Sequence, residues 1–332
     1  MTTIRSGKTC LLSSMSNILL SKGSNVDEEL IFLLGRGNRI DYRFSDIGGQ
    51  PEVFLGHHSL EIVSRFCALF GVEHNFIEGE SPDLLPELRG TLASGNPVLI
   101  WVEMALLPYL KIKPPAGAIH ALTVTGERDG VLSIDDCYAP LSLYSDKVAT
   151  HAIQVPFAQF NAWRESGYCR HVVDFQRLLG SIHRPRIELL AQGIGWACED
   201  FLHGMPEVPA SADVLLCFAD DLAVMHDRYP GSTHPQVYSA LAYNLRYFGT
   251  FWTREFLANA LCELAAATGS ASLPGLAQEL RESVRRWKLV MLGVLKLPLT
   301  RKPAQQIDSL QRKISEILDV ERDVYRAMKL AV

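Results

Sequence analysis

The feature that most constrains this chain is a change of hydrophobic period near Gly180. From Ile187 to the C-terminus the apolar residues recur only at helical spacing: Leu276, Leu280, Val284, Trp287 and Met291 on one face, and Ile307, Leu310, Ile314, Ile317 and Val324 on another. Breaks fall at Gly204-Met-Pro206, Pro230-Gly-Ser232, Thr268 to Pro274 and Pro298 to Pro303. Before Gly180 the period alternates between that of helices and that of strands. Leu11, Leu12, Met15, Ile18 and Leu19 predict a first helix that Gly23 stops. Further helices are expected over about 26–34, 60–70 and 82–93, and strands over 39–44, 97–102, either side of a turn at 127–130, 151–155 and 168–175. Helices mixed with mostly antiparallel strands read as α+β. The chain is therefore expected to hold an α+β domain over residues 1–178 and an all-α helical domain over 179–332, the boundary lying between Phe175 and Arg186. At 332 residues it is long enough for two cores.

Composition narrows the classes of function. A net charge of -5 argues against nucleic acid as the main partner, because neutralising phosphates requires a basic face. No run approaches the ~20 apolar residues of a membrane span. The start is not a convincing signal peptide, since Ser13, Ser14, Ser16 and Asn17 break its apolar run. The seven cysteines are an odd number without metal-ligand spacing, which suits a reducing compartment better than a disulfide framework. A cytoplasmic protein is the expectation.

The chemistry is carried by Cys10, His120 and an acid. Thr9 is a plausible N-cap, so Cys10 opens the first helix at the positive end of its dipole, a setting that favours a thiolate. Cys67, Cys198, Cys217 and Cys262 sit in apolar helical surroundings and read as small buried hydrophobes. Far downstream His120 begins a strand, and with a turn centred on Arg128 the pairing sets Val124 against Leu132, Leu122 against Ile134 and His120 against Asp136. Side chains alternate along a strand, so His120 and Asp136 become same-face neighbours, the arrangement in which a carboxylate holds an imidazole in one tautomer. A one-residue slip substitutes Asp135, which stays as the alternate. A nucleophile at a helix start followed by a His–acid hairpin is the parts list of a papain-like cysteine enzyme.

Other patterns carry less. Gly7-Lys-Thr9 lacks the upstream glycine and strand of a phosphate loop, and Gly35-Arg-Gly37 lacks the third glycine of a dinucleotide site. His57-His58 and Asp220-Asp221 are adjacent pairs whose side chains diverge, so no metal site is expected.

Cys10-Leu-Leu-Ser-Ser-Met-Ser-Asn-Ile-Leu-Leu20, Glu28-Glu29, Leu33-Leu-Gly-Arg-Gly37 and Pro97-Val-Leu-Ile-Trp-Val-Glu-Met-Ala-Leu-Leu-Pro-Tyr109, followed by His120 and Gly126, resemble the N-terminal domain of the butirosin-biosynthesis protein H family. The helical half, notably Arg246-Tyr-Phe-Gly-Thr-Phe-Trp-Thr-Arg-Glu-Phe-Leu257, is similar to the helical domain that often follows it. The resemblance implies a papain-like fold and transfer of an acyl group from a carrier-protein or CoA thioester, carried on phosphopantetheine, to a small amine in secondary metabolism. Cys10 matches the family's nucleophile and His120 its base. The chain departs from the family pattern at Glu103, where Asp is common, and at Cys137, which follows Asp136 where Pro is frequent. A papain-type oxyanion glutamine is absent, position 4 being Ile4, so backbone N–H groups near Cys10 are expected to serve.

The expectation is thus a Cys10–His120–Asp136 acyltransferase without a bound cofactor or metal. Trp101, Glu103 and Tyr109, on or beyond the strand neighbouring the His120 strand, are expected to line the acceptor pocket. The helical domain would cover the cleft or dock a partner, and homo-oligomerisation is left open. The rival classes are a thioesterase or amidase using the same three residues, and a non-catalytic papain-like scaffold.

Overall fold

The computed structural model describes residues 5–47, 50–78, 84–110, 119–140, 147–163, 169–205, 207–229, 231–247 and 249–332. In chain order the first part comprises α1 (Cys10–Ser21), α2 (Glu28–Leu34), β1 (Asp41–Ile47), β2 (Gln50–Gly56), α3 (Ser59–Leu69), β3 (His74–Glu78), α4 (Leu84–Ala93), β4 (Val98–Glu103), β5 (Ile119–Arg128), β6 (Val131–Pro140), β7 (Lys147–Pro156), α5 (Phe157–Ala162), β8 (Cys169–Val173) and α6 (Phe175–Ser181). Six long helices follow: α7 (Arg186–Leu202), α8 (Ser211–Arg228), α9 (His234–Tyr247), α10 (Thr250–Thr268), α11 (Leu273–Lys296) and α12 (Pro303–Ala331). The architecture is α+β, an antiparallel sheet followed by a helical region.

The chain divides into two compact units, Met1–Ile31 with Ser59–Arg184, and Phe32–His58 with Pro185–Val332. A single cut at residue 178 does not describe this division. Residues 32–58 pack with the helices because their polar groups find partners there. Arg36 donates to both carboxylate oxygens of Asp200 at 3.1 and 2.6 Å, Asn38 donates to the Ala197 carbonyl, and Tyr42 donates to Asp221. The β1–β2 hairpin belongs to this second unit, where Asn244 donates to the Val53 carbonyl. Gly37 is obligatory there, since a Cβ would stand 2.5 Å from the Phe32 ring.

In the first unit an antiparallel six-stranded sheet runs in the order β3-β8-β4-β5-β6-β7. Alternate residues Val98, Ile100, Val102, Leu122, Val124, Leu132 and Ile134 form one apolar face, closed by Leu88, Phe160 and Trp163. Helix α1 lies against β4, β5 and β6. In the second unit the two predicted stripes of α11 and α12 are buried, apart from half-buried Leu276.

The β5–β6 hairpin corrects the expected register. Its turn is the two-residue Asp129-Gly130, both with positive φ (53° and 78°), the signature of a type I′ turn. Arg128 therefore faces Val131 and Gly126 faces Ser133, whereas Val124 faces Ile134 and Thr123 faces Asp135. Thr125 is an extra residue, a β-bulge. A two-residue turn alone would put His120 on the same face as Asp135. The bulge advances β5 by one residue and restores Asp136 to that face. Continued by two residues, this register sets Leu122 opposite Asp136 and His120 diagonal to it, still within side-chain reach.

Candidate active site

Cys10 is the first residue of α1, and the loop before it is fixed from two sides. Gly7 N–H donates to the Cys137 carbonyl at 3.0 Å, tying the loop to β6 beside Asp136. On the other side the buried Glu28 carboxylate accepts from Lys8 N–H at 2.9 Å, Thr9 N–H at 2.7 Å and the Thr9 hydroxyl at 2.9 Å. Burial raises the Glu28 carboxyl above its ordinary value, while these donors pull it down. Thr9 occupies the N-cap position, but its side chain turns to Glu28 and caps no helix N–H. A Cβ at Gly7 would run into the Ser13 hydroxyl and come within 2.7 Å of Glu28, so only glycine fits.

This loop delivers the sulfur to the hairpin. The Cys10 side chain lies beside His120, among the groups that raise its imidazole. His120 Nε2 lies 2.9 Å from Asp136 Oδ1, which leaves Nδ1 for the thiol. Asp136 is held in turn: Tyr138 N–H donates to Oδ1 at 2.9 Å and Tyr109 Oη to Oδ2 at 3.0 Å. His120 is 1% exposed and Asp136 fully buried. Burial pushes the imidazole down, but the Asp136 charge and hydrogen bonds to Asp136 and Cys10 outweigh it and raise His120 to about 10. Asp136 is opposed by burial and lowered by His120 and its other donors. The pair is thus poised as imidazolium and carboxylate, with the thiol on the far side of the ring.

The alternate acid, Asp135, points the other way. Its Oδ1 accepts from His151 Nδ1 at 2.6 Å and from Ala152 N–H at 2.9 Å. The three residues expected to line an acceptor pocket have separate fates. Tyr109 meets Asp136. Glu103 is half-buried at the end of β4, its N–H donating to the Trp163 carbonyl at 2.9 Å. Trp101 is turned away: its indole N–H donates to His171 Nε2 at 2.6 Å. Because Trp can only donate, His171 carries its proton on Nδ1 and passes a hydrogen bond to His74 Nε2 at 2.8 Å, and His74 Nδ1 donates to Ser64. Burial lowers both imidazoles, His171 to about 3, so this chain is neutral and structural. Ile4 lies outside the described residues.

Sequence reasoning missed the role of Glu28 as the loop's anchor. The signal was a glutamate opening an otherwise apolar helix, Glu28-Glu-Leu-Ile-Phe-Leu-Leu34, where an inward-facing carboxylate demands donors.

Residues 9–137 match the family described as butirosin biosynthesis protein H, N-terminal, the family that the sequence motifs resemble. The matched span runs from the N-cap of α1 into β6 and includes Cys10, His120 and Asp136. No curated protein matches the chain. Among the described residues no helix is long and apolar enough to cross a membrane.

Proposed function

We propose that this protein is a cysteine acyltransferase of secondary-metabolite biosynthesis, with Cys10 as nucleophile, His120 as acid and base, and Asp136 as the group that orients His120. The observation that carries the reading is the buried His120–Asp136 pair, in which a carboxylate holds an imidazole, with the thiol at the start of α1 beside the ring. The description of the family matched by residues 9–137 supports the biosynthetic setting.

In the first half-reaction the Cys10 sulfur, its proton held by the imidazolium of His120, attacks the thioester carbonyl. The tetrahedral intermediate collapses with loss of the pantetheine thiolate, which receives the proton from His120. In the second half-reaction an amine attacks the Cys10 thioester and His120 takes a proton from its nitrogen. Collapse then forms the amide and frees Cys10. The N–H groups of the first turn of α1 have no intrahelical acceptor, so the Cys10 N–H is a natural donor to the oxyanion. The donor would be a carrier-protein or CoA thioester.

The test is intact mass after exposure to small acyl-CoA thioesters, with an amine panel added afterwards. The expected result is one acyl adduct mapping to Cys10, discharged as amide, and no adduct in Cys10→Ala. Discharge only to free acid, whatever the amine, would make the enzyme a thioesterase. Adducts on other cysteines alone, or none, would sink covalent catalysis.

A further inference from the structure

Strand β6 presents two adjacent acids to opposite faces, and only Asp136 belongs to the site above. The other face, between α1 and the sheet, carries a partly open cavity of about 630 Å³, a volume suited to a small metabolite. Its walls mix polar and apolar groups: Ser14 and Ile18 from α1, Thr123 from β5, Asp135 from β6 and His151 from β7 line it, with Arg5, Lys22 and Pro97.

Three observations mark it as built for a guest. Thr123 is 2% exposed, and its hydroxyl has no hydrogen-bond partner among the described residues. The Ser14 hydroxyl, fully buried, likewise finds no oxygen or nitrogen partner there and has the Cys137 thiol beside it. Buried hydroxyls are rarely left unpaired in native proteins, so a guest that satisfies them is strongly favoured. Second, His151 is held by Asp135 through Nδ1, which leaves Nε2 of a half-exposed ring to meet a guest. Third, Ala152 takes a left-handed φ of 51° at a break in the β6–β7 register, and its N–H is what secures Asp135. Such strain persists where the surroundings impose it.

We propose that this cavity is a second binding site, for a small molecule that carries an anionic group together with a hydroxyl or amino group, that is, a hydroxy acid or an amino acid, free or as part of a larger metabolite. The anionic end matches the Arg5 guanidinium and the Lys22 ammonium. The single carboxylate among the described residues of the wall, Asp135, is engaged by His151 and Ala152 and does not oppose it. The O–H or N–H end hydrogen-bonds with His151 Nε2, Thr123 and Ser14. Cys10 does not line the cavity, so this inference stands apart from the acyl-transfer reading.

Titration calorimetry of the full chain with glycolate, L-serine and L-glutamate tests it, with inorganic phosphate and glycerol as single-feature controls. At least one of the three acids is expected to bind with a Kd of about 1 mM or tighter. Phosphate and glycerol should bind at least about tenfold more weakly. Thr123→Val, nearly isosteric, and Arg5→Gln should each weaken the acid about tenfold, a loss of ~1.4 kcal/mol, whereas Cys10→Ala leaves it unchanged. Absence of binding by all three acids would overturn the proposal. So would phosphate binding as tightly as the acids, or affinity unchanged in both Thr123→Val and Arg5→Gln. If Thr123→Val does not fold, Arg5→Gln alone decides. A silent Cys10 with these results intact would leave the second site standing.

Discussion

Among the described residues each unit contains a deeply buried acid–base pair, and the two differ in what they can do. In the second unit Arg254 donates from Nε and one terminal nitrogen to the two oxygens of Glu321 at 2.8 and 2.6 Å. Arg254 is fully buried and Glu321 nearly so. Thr253, Ser283 and Trp287 satisfy the remaining polar atoms, and the guanidinium lies over the rings of Phe201 and Trp287. In the first unit His120 and Asp136 are equally buried, but the base is an imidazole and a thiol lies beside it. A guanidinium stays charged at every working pH and has no proton to exchange, so its pair serves as a joint between α10, α11 and α12. An imidazole changes charge in the accessible range and can hand a proton to a neighbour. Burial and pairing alone therefore do not mark an active site. The marks are a group that can titrate and a nucleophile against it.

Experiments can break this contrast. Replacing His120 by Ala removes the proton carrier, and the acyl-transfer rate should fall by about 10³-fold or more, read as steady-state amide formation. Glu321→Ala leaves the Arg254 charge buried without its partner. We expect a loss of about 3–5 kcal/mol in denaturant unfolding. If the two pairs are alike in kind, this variant will also abolish the Cys10 adduct in the fraction that stays folded; we expect the adduct to persist.

Asp136→Asn should slow transfer by about 10²–10⁴-fold because the ring loses its orienting charge, while Asp135→Asn should cost less than about tenfold. Equal losses would put both acids in one site. Tyr109→Phe keeps the ring against Trp163 but deletes the donor to Asp136 Oδ2. It should reduce turnover by about tenfold, equivalent to one charge-assisted hydrogen bond, with little change in KM for the amine. A rise in KM alone would instead return Tyr109 to the acceptor pocket.

The smallest effect separates the pairs by pH. His120 is raised from its ordinary 6.5 to about 10 in the folded chain, so its contribution to stability is fully present below 6.5 and disappears as pH rises through about 10. The melting temperature of the wild type should therefore fall more steeply from pH 7 to pH 10 than that of His120→Ala. Parallel slopes would mean that the ring is neutral in the folded state.

Much of this was legible because it is local. The Cys10 helix follows from apolar spacing ended at Gly23, and the helical half from an uninterrupted 3.6-residue period. The hairpin follows from two strand-like runs either side of Asp129-Gly130. Its register was not legible, because the periodicity of β5 does not reveal a bulge at Thr125. Two strands escaped notice as well: β2, whose Pro51 spoils a strand pattern, and β3, a short polar run at His74-Asn75.

By its own pattern the chain determined that a thiol opens a helix, that a histidine and two acids share a hairpin, and that the C-terminal half is helical. These need only neighbours within a few residues. Tertiary structure decided which acid meets the imidazole, through one extra residue in β5. It also decided that Glu28 clamps the loop before Cys10, and that residues 32–58 join the helical unit through Arg36, Asn38 and Tyr42. Such choices depend on partners far away in the chain, and the satisfaction of buried polar groups appears only once the backbone has closed around them.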